Sequence, residues 1–330
     1  MSINKNDLII LTGGAGFIGS CVLRTLNDEG YENIVVVDNI AATDKWKNIR
    51  NKRYLEYVNK KDFFEKIWQG VYAGCKAVIH MGACSSTTQT DFDYLWTNNV
   101  DYTKALWNYC AKEKIQFIYA SSAATYGDGS LGFSDNVEGI EQLLPLNAYG
   151  YSKQLFDVWS LHTETKPLQH VGLKFFNVYG PNEYCKGSMA SMVFHGYRQI
   201  NESGKIRLFR SYHENYEDGA QERDFVYVKD VCRVIMYFLT HPEHSGIFNV
   251  GTGRAQTFKE LAEATFDAMN LPHNIEYFDM PDSIKPNYQY HTQADVSSLR
   301  EIGYDGEFFD VSAGVRDYVC NYLSKKYEIY

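Results

Sequence analysis

LIILTGGAGFIG, residues 8–19, decides the fold. Its four leading apolar residues, Leu8–Leu11, predict a buried parallel strand that ends at Thr12. Gly14, Gly16 and Gly19 then fall at the G-x-G-x-x-G spacing that opens a helix. In such a turn the first glycine permits the tight bend, the second lets backbone N–H groups approach a pyrophosphate, and the third allows close helix-on-sheet packing. A glycine-rich turn can precede any helix, so the reading needs a second observation. The next apolar run, Ile34–Val37, supplies it by ending in Asp38, at about the distance from the glycines where an acid meets a cofactor ribose. Together the two predict dinucleotide binding.

With 330 residues the chain has room for one large doubly wound unit and a smaller one. Its 45% hydrophobic content suits a globular protein. No apolar run nears the roughly 18 residues of a membrane span, and MSINKNDLII runs almost directly into the first strand without a signal-peptide layout, so a cytoplasmic protein is expected. The seven cysteines are odd in number and form no C-x-x-C pair, which favours reduced thiols. A net charge of −9 argues against nonspecific nucleic-acid binding, so local Lys and Arg residues have to meet any anionic ligand.

The first half alternates β-branched runs with helical patterns, as in a parallel sheet with crossover helices. Strands are expected at Leu8–Leu11, Ile34–Val37, Tyr54–Val58, Ala77–Met81, Phe117–Ala120 and His170–Phe175, and helices at Phe17–Gly30, Tyr94–Lys112 and Asn147–Thr163. After Asn177 the pattern loosens. Helices at Ser188–Asn201, Lys229–His241 and Phe258–Met269, a strand at Phe225–Val228, loops at Ser211–Glu222 and Met280–Gln293, and a closing helix near Val311–Leu323 suit a substrate-binding cap. The expected architecture is a Rossmann-type doubly wound α/β unit, residues 1–176 with returns near 225–253 and 285–303. A smaller, discontinuous α/β substrate-binding domain would comprise 177–224, 254–284 and 304–330.

Tyr149 and Lys153 stand four apart in NAYGYSKQLF and share a helix face. Ser121 and Ser122 end the fifth strand, where open α/β sheets place ligand-contacting residues. For Tyr149 to act as a base near neutrality its pKa of ~10 has to fall to about 7, worth roughly 4 kcal/mol. An ammonium about 4 Å away at an effective dielectric of ~20 supplies a comparable amount. Ser122 can hold a substrate hydroxyl and the carbonyl formed from it.

TGGAGFIG, SSAATYG and YGYSK resemble the signatures of extended short-chain dehydrogenases acting on nucleotide sugars. GACSSTT, FNVYGP, KGSMAS, RDFVYV, FNVGTGRA and YQYHTQAD are similar to those of one group among them, the ADP-L-glycero-D-manno-heptose 6-epimerases of lipopolysaccharide core synthesis, nearly end to end. The resemblance implies Ser122, Tyr149 and Lys153 as the catalytic trio and Lys186 as a second acid/base. It implies cofactor contacts at Gly13, Gly16, Phe17, Ile18 and Gly19 of the turn, at Asp38 and Asn39, and at Lys45 and Lys60. Further cofactor positions are Met81, Gly82, Ala83, Cys84 and Ser85, then Asn98 and Val178, with Tyr149, Lys153 and Lys186 serving the cofactor as well. Substrate contacts are implied at Asn177, Ser188 and His195, at Phe209, Arg210 and Ser211, and at Arg223 and Tyr288. No metal is expected.

The implied cofactor is NADP, with NAD as the alternative. Asp38 by itself favours a free ribose 2′-hydroxyl, whereas Asn39 can donate to a 2′-phosphate and Lys45 and Lys60 match positions that neutralise one. The resemblance also implies an ADP-heptose substrate and a homo-oligomer, a pentamer. Three departures stand out. Met81 replaces a Glu, Asn182 replaces an Arg after Gly-Pro, and FRSY at 209–212 is followed by an apparent insertion, Tyr212–Ala220. Without the resemblance, His195 reads as a packed histidine, and Asp230, Arg233, Lys259 and Glu260 as solvated or helix-capping charges.

A carbinol C–H is not acidic, so inverting such a carbon calls for oxidation to a ketone and return of the hydride. A dehydratase of the same fold needs an Asp-Glu pair where this chain has Ala123 and Ala124. A hexose 4-epimerase fits SSAATYG but leaves Lys186 unexplained, and Lys186 can also be read as a pyrophosphate clamp. A dinucleotide sensor without turnover is the rival from another class, although this chain keeps all of Ser122, Tyr149 and Lys153.

Overall fold

A computed structural model describes residues 3–330 except 283, 284, 286 and 287, so part of the expected 280–293 loop lies outside the described residues. The first half runs β1 (Ile9–Thr12), α1 (Phe17–Asp28), β2 (Ile34–Asp38), β3 (Glu56–Asn59), α2 (Lys60–Trp68), β4 (Ala77–His80), α3 (Phe92–Leu95), α4 (Tyr102–Glu113), β5 (Gln116–Ser122), α5 (Ala148–His162) and β6 (Gln169–Phe175). With β11 (Gly246–Val250) these strands form one seven-stranded sheet in the order β3-β2-β1-β4-β5-β6-β11. Every pairing in it is parallel.

Burial explains the strand sequences. Ile9, Ile10, Leu11, Ile34, Val35, Val36, Val78 and Ile79 are wholly inaccessible, because helices cover both faces and alternation gives way to continuous apolar runs. One core layer joins the sheet to α1 through Leu23 and Leu26, and to Val231 and Ile235. The opposite layer carries Phe63, Leu106, Trp107 and Phe156 from α2, α4 and α5. Chain order reverses between β1 and β4, and there the loops at the carboxyl ends of the strands part into a crevice.

The second half adds β7 (Asn177–Tyr179), α6 (Met192–Ser203), β8 (Ile206–Phe209), β9 (Glu222–Arg223), β10 (Phe225–Tyr227) and α7 (Val228–Thr240) before β11. After it come β12 (Gln256–Thr257), α8 (Phe258–Ala268), β13 (Ile275–Phe278), α9 (Ser297–Glu301) and α10 (Val311–Tyr318). The strand expected at Phe225–Val228 does not rejoin the large sheet. It pairs in parallel with β7, Phe225 opposite Asn177, and the return is made by β11. A second small ladder pairs β8 with β13, also in parallel, over a separate apolar cluster of Ile200, Ile206, Leu208, Ala262 and Phe266. Among the described residues no helix is long and apolar enough to cross a membrane.

Local chemistry moves several boundaries. The expected helix Tyr94–Lys112 is broken by a wider π turn at Trp96–Asp101 between α3 and α4. The helix expected from Ser188 starts at Met192, because Ser191 caps it by accepting from the Phe194 N–H while Gly187–Met189 makes a separate 3-10 turn. Helix α2 was not expected; Asn59 caps it through the Lys61 N–H.

Two glycines of the first turn are sterically required. Gly13 has φ +66°, and a Cβ there would stand 2.6 Å from the Gly82 nitrogen. A Cβ on Gly19 would stand 2.1 Å from the Gly13 carbonyl oxygen. Since backbone cannot yield as a flexible side chain does, Gly19→Ala is expected to lower stability by about 1–3 kcal/mol. Urea unfolding checks this, and a midpoint equal to that of the parent chain would show that the turn relaxes freely.

Candidate functional site

The crevice is a cleft of about 580 Å³ over the carboxyl ends of β1, β2, β4 and β5. Its floor is the glycine turn. Gly16 is the N-cap of α1, yet no side chain caps the helix and its first turn carries no acid. The N–H groups of Phe17, Ile18 and Gly19 therefore keep the positive end of the helix open toward the cleft. This donor set fits a pyrophosphate.

Asp38 ends β2 and is buried. Its carboxylate accepts from the Ala15 N–H at 2.9 Å, from the Asn39 N–H at 2.6 Å and from Lys45 Nζ at 2.6 Å. The acid is thus tied to the glycine turn and neutralised by one lysine. Lys60, at the start of α2, donates to Asn98 Oδ1 at 2.5 Å, and burial lowers its pKa against the opposing pull of Asp38. The π turn brings Asn98 to the cleft and turns Asn99 beneath it. Asn99 accepts from the Cys84 N–H at 2.8 Å and donates to the Cys84 carbonyl at 3.0 Å, which fixes the 81–85 loop that also lines the cleft.

Every expected cofactor residue lines this one cleft: the turn residues Gly13 to Gly19 named above, Asp38, Asn39, Lys45, Lys60, 81–85, Asn98, Tyr149, Lys153, Val178 and Lys186. Sequence reasoning overlooked Asn99, Asn48 and Tyr102. Asn48 donates to the Ala15 and Asn182 carbonyls at 3.1 and 3.3 Å. Tyr102 lines the cleft with a buried hydroxyl that has no partner among the described residues, a polar atom left over for a ligand. The Asn98-Asn99 pair inside a helical pattern was the available signal. His80 supports the floor: Nδ1 meets Thr12 Oγ1 at 2.5 Å and Nε2 meets Thr103 Oγ1 at 3.0 Å. Burial, with help from Lys153, drops its pKa to about 3, so it stays neutral.

Ser122, Tyr149, Lys153 and Lys186 also line the cleft. Ser122 Oγ accepts from the Ala124 N–H at 3.1 Å, which sets the turn after β5. Lys153 is buried and donates to the Ala120 carbonyl at 2.8 Å. One expectation needs correction. In this fold burial raises the Tyr149 pKa instead of its being lowered, and the main opposing influence is the Ser122 hydroxyl. Lys153 is itself depressed to about 8 by burial, with Asp157 pulling the other way. Desolvation therefore exceeds the attraction computed from charge separation alone.

Lys186 sits between two 3-10 turns, Glu183–Cys185 and Gly187–Met189, half-buried with Nζ 5.2 Å from the centre of the Phe17 ring. Burial lowers its pKa and Glu183 raises it. Glu183 is wholly buried and accepts from the Ser191 N–H at 2.6 Å and the Ser191 hydroxyl at 2.7 Å, clamping the base of the Lys186 loop. Asn182, the replacement after Gly-Pro, takes φ +74°. It donates to Ser20 Oγ at 3.0 Å and accepts from the Tyr330 N–H at 2.9 Å.

The expected substrate residues stand outside the cofactor cleft. Asn177 and Ser188 are exposed and His195 is partly buried on α6 beside Phe194. Phe209, Arg223 and Tyr288 gather in one group: the Phe209 and Tyr288 rings lie 6.2 Å apart, and the Arg223 guanidinium lies 5.3 Å from the Tyr288 ring. Arg223 is buried and bonded, among the described residues, to the Glu222 and Gln289 carbonyls, and burial lowers its pKa. Arg210 does not join them. It pairs with Asp218 at 3.5 Å and Asp279 at 3.8 Å, while the Ser211 N–H donates to Asp218 at 2.7 Å. The 212–220 insertion thus closes on its own stem, and a ring cluster of His213, Tyr216 and Tyr290 fills it. Asp230, expected as a solvated or helix-capping charge, is wholly buried against Arg233 and the Phe309 N–H. Glu260 closes a capping box with Thr257.

Comparison with known proteins agrees with this geometry. Residues 9–251 match the model of the NAD dependent epimerase/dehydratase family. A Fusobacterium nucleatum protein named ADP-L-glycero-D-manno-heptose-6-epimerase is 50% identical over 97% of this chain and 99% of its own length. A Thiobacillus denitrificans protein of the same name is 43% identical over 94% and 97%. The crystal structure of the Helicobacter pylori ADP-L-glycero-D-manno-heptose-6-epimerase superposes with a TM-score of 0.80 at 28% identity, covering 96% of each chain.

Proposed function

The chain belongs to the NAD dependent epimerase/dehydratase family, and from that premise we infer that it inverts C-6 of an ADP-linked heptose. The reaction converts ADP-D-glycero-D-manno-heptose to the L-glycero epimer for lipopolysaccharide core synthesis. The observation that supports this reading is the placement of Lys186, a further basic side chain in the same cleft as Ser122, Tyr149 and Lys153. Inversion calls for a second acid/base or for the sugar to turn substantially within the site. The two epimers present the C-6 hydroxyl on different sides when the C-6 hydrogen faces the same way, so one fixed base serves one epimer poorly.

A nicotinamide dinucleotide held by the glycine turn, Asp38 and Asn98 would supply reversible hydride acceptance and, when oxidised, a positive charge. Tyr149 exchanges the hydroxyl proton of one epimer and Lys186 that of the other. Lys153, held by the Ala120 carbonyl, keeps an ammonium near Tyr149. Ser122 steadies the reacting oxygen. Burial favours the neutral form of Lys186, the form that accepts a proton. We assign the substrate to the side of the cleft lined by Val178, Asn182, Cys185, Lys186 and Met189, with Arg223, which has no carboxylate partner among the described residues, facing its anionic part together with Phe209 and Tyr288.

We read the cofactor as NADP. What supports this is the state of Asp38: Lys45 and two backbone N–H groups already engage its carboxylate, so its charge repels a 2′-phosphate less than a free acid does. Lys45, Lys60 and Asn39 line the same end. Lys45→Ala is expected to weaken NADP at least about tenfold relative to NAD, a change of ~1.4 kcal/mol. Equilibrium titration with both dinucleotides measures the ratio, and an unchanged ratio would remove Lys45 from the assignment.

Tyr149→Phe deletes one hydroxyl and little volume. It should cut turnover by roughly 10²- to 10⁴-fold while the cofactor stays bound. Full activity in this variant contradicts the mechanism. Lys186→Met, assayed in single turnovers with each epimer supplied in turn, should lose the chemical step with little change in substrate affinity. Weak binding of both epimers with an almost normal rate at saturation would instead make Lys186 a phosphate clamp.

A further inference from the structure

Directly behind the cleft lies a buried ion pair that the mechanism above does not use. Asp157 and Lys174 are both wholly inaccessible, with Lys174 Nζ 3.1 Å from Asp157 Oδ2. The same carboxylate accepts from the Ser121 hydroxyl at 2.6 Å and the Tyr119 hydroxyl at 3.1 Å. Lys174 Nζ also donates to Thr125 Oγ1 at 2.6 Å and lies 4.9 Å from the Tyr126 ring centre. Thr125 in turn donates to the Ser122 carbonyl at 2.9 Å.

We propose that the Asp157–Lys174 pair is a positioning device for the catalytic trio, fixing α5 against the turn after β5 and holding a carboxylate beside Lys153. The topology makes this specific. Tyr149, Lys153 and Asp157 recur every four residues on α5 and so share one face. Lys174 stands directly opposite Ser121 in the β5–β6 register. The pair therefore reaches Ser122 through Thr125 and reaches Tyr149 and Lys153 through the helix. Stability alone does not call for it, since a buried ion pair replaced by apolar residues of similar volume is often as stable or more so.

The electrostatic half has a definite sign. The groups acting on Lys153 are Asp157 on its own helix, Cys84 on the loop after β4 and neutral His80 on β4, while Tyr119 on β5 and Lys174 on β6 face Asp157. Burial brings Lys153 to about 8, and Asp157 is the first of the groups that resist this. Lys153 is charged below that value and loses its charge as pH rises through it. Removing the carboxylate moves this loss to lower pH.

The inference rests on the assignment of Ser122, Tyr149 and Lys153 as the trio, which Tyr149→Phe tests separately. The experiment compares pH–rate profiles of the full-length holoenzyme and three variants on ADP-heptose. The double variant Asp157→Asn/Lys174→Met, with folding checked by near-ultraviolet circular dichroism, should move the alkaline limb down by roughly one pH unit. Its kcat should fall roughly 10- to 100-fold with KM little changed. Lys174→Arg, which keeps the charge, should retain the parental profile. Thr125→Val removes one hydroxyl at nearly constant volume and should lower kcat without moving the limb, and it decides the matter if the double variant does not fold. A folded double variant with parental kcat and limb, or a Thr125→Val enzyme with parental kcat, would overturn the proposal even while Tyr149→Phe is inactive.

Discussion

Helix α1 begins uncapped, and the structure depends on leaving it that way. The first N–H groups of a helix have no partner one turn back and normally take a side-chain or solvent oxygen. Here the turn before the helix offers only Gly16, and the nearest acid, Asp38, spends one oxygen on Ala15 and the other on Lys45 and Asn39. Helix and acid together leave a positive, desolvated recess. Gly13 and Gly19 allow the recess to be narrow, since a Cβ at either would run into backbone. A chain with net charge −9 thereby gathers Lys45, Lys60, Lys153 and Lys186 around one cleft.

Burial of these cations has a chemical consequence. Lys60, Lys153 and Lys186 all have lowered pKa values, desolvation being the largest cause in each case. Nearby acids restore part of the charge: Asp38 for Lys60, Asp157 for Lys153 and Glu183 for Lys186. Each of these lysines thus feels the charge of one carboxylate that is itself held by other donors.

What was legible in the sequence was whatever local spacing encodes. Gly13 to Gly19, Asp38, the Tyr149–Lys153 pair and Ser122 belong to short motifs whose geometry follows from one strand, one turn or one helix face. The parallel, doubly wound character of the sheet followed from the alternation of apolar runs and helices, whereas the strand order did not. What was not legible depends on partners distant in sequence. Phe225–Tyr227 looked like a strand of the large sheet and pairs with Asn177–Tyr179 instead. Asp157 and Lys174 belong to no short motif, and their ion pair forms only when α5 packs on β6. The π turn at Trp96–Asp101 has no clear periodic signature, yet it sets Asn98 and Asn99. The Tyr149 pKa was misjudged because Coulomb attraction can be written down from spacing, whereas desolvation requires knowing what surrounds the phenol.

The central claim is that C-6 is inverted by removal and return of one hydride inside the cleft, with proton traffic confined to oxygen. Running the reaction in heavy water from either epimer and reading C-6 by proton and deuterium NMR tests this most directly. The account predicts full equilibration of the two epimers with no deuterium at C-6. Deuterium entering C-6 at the rate of epimerisation would contradict it, because the hydrogen would then have left as a proton.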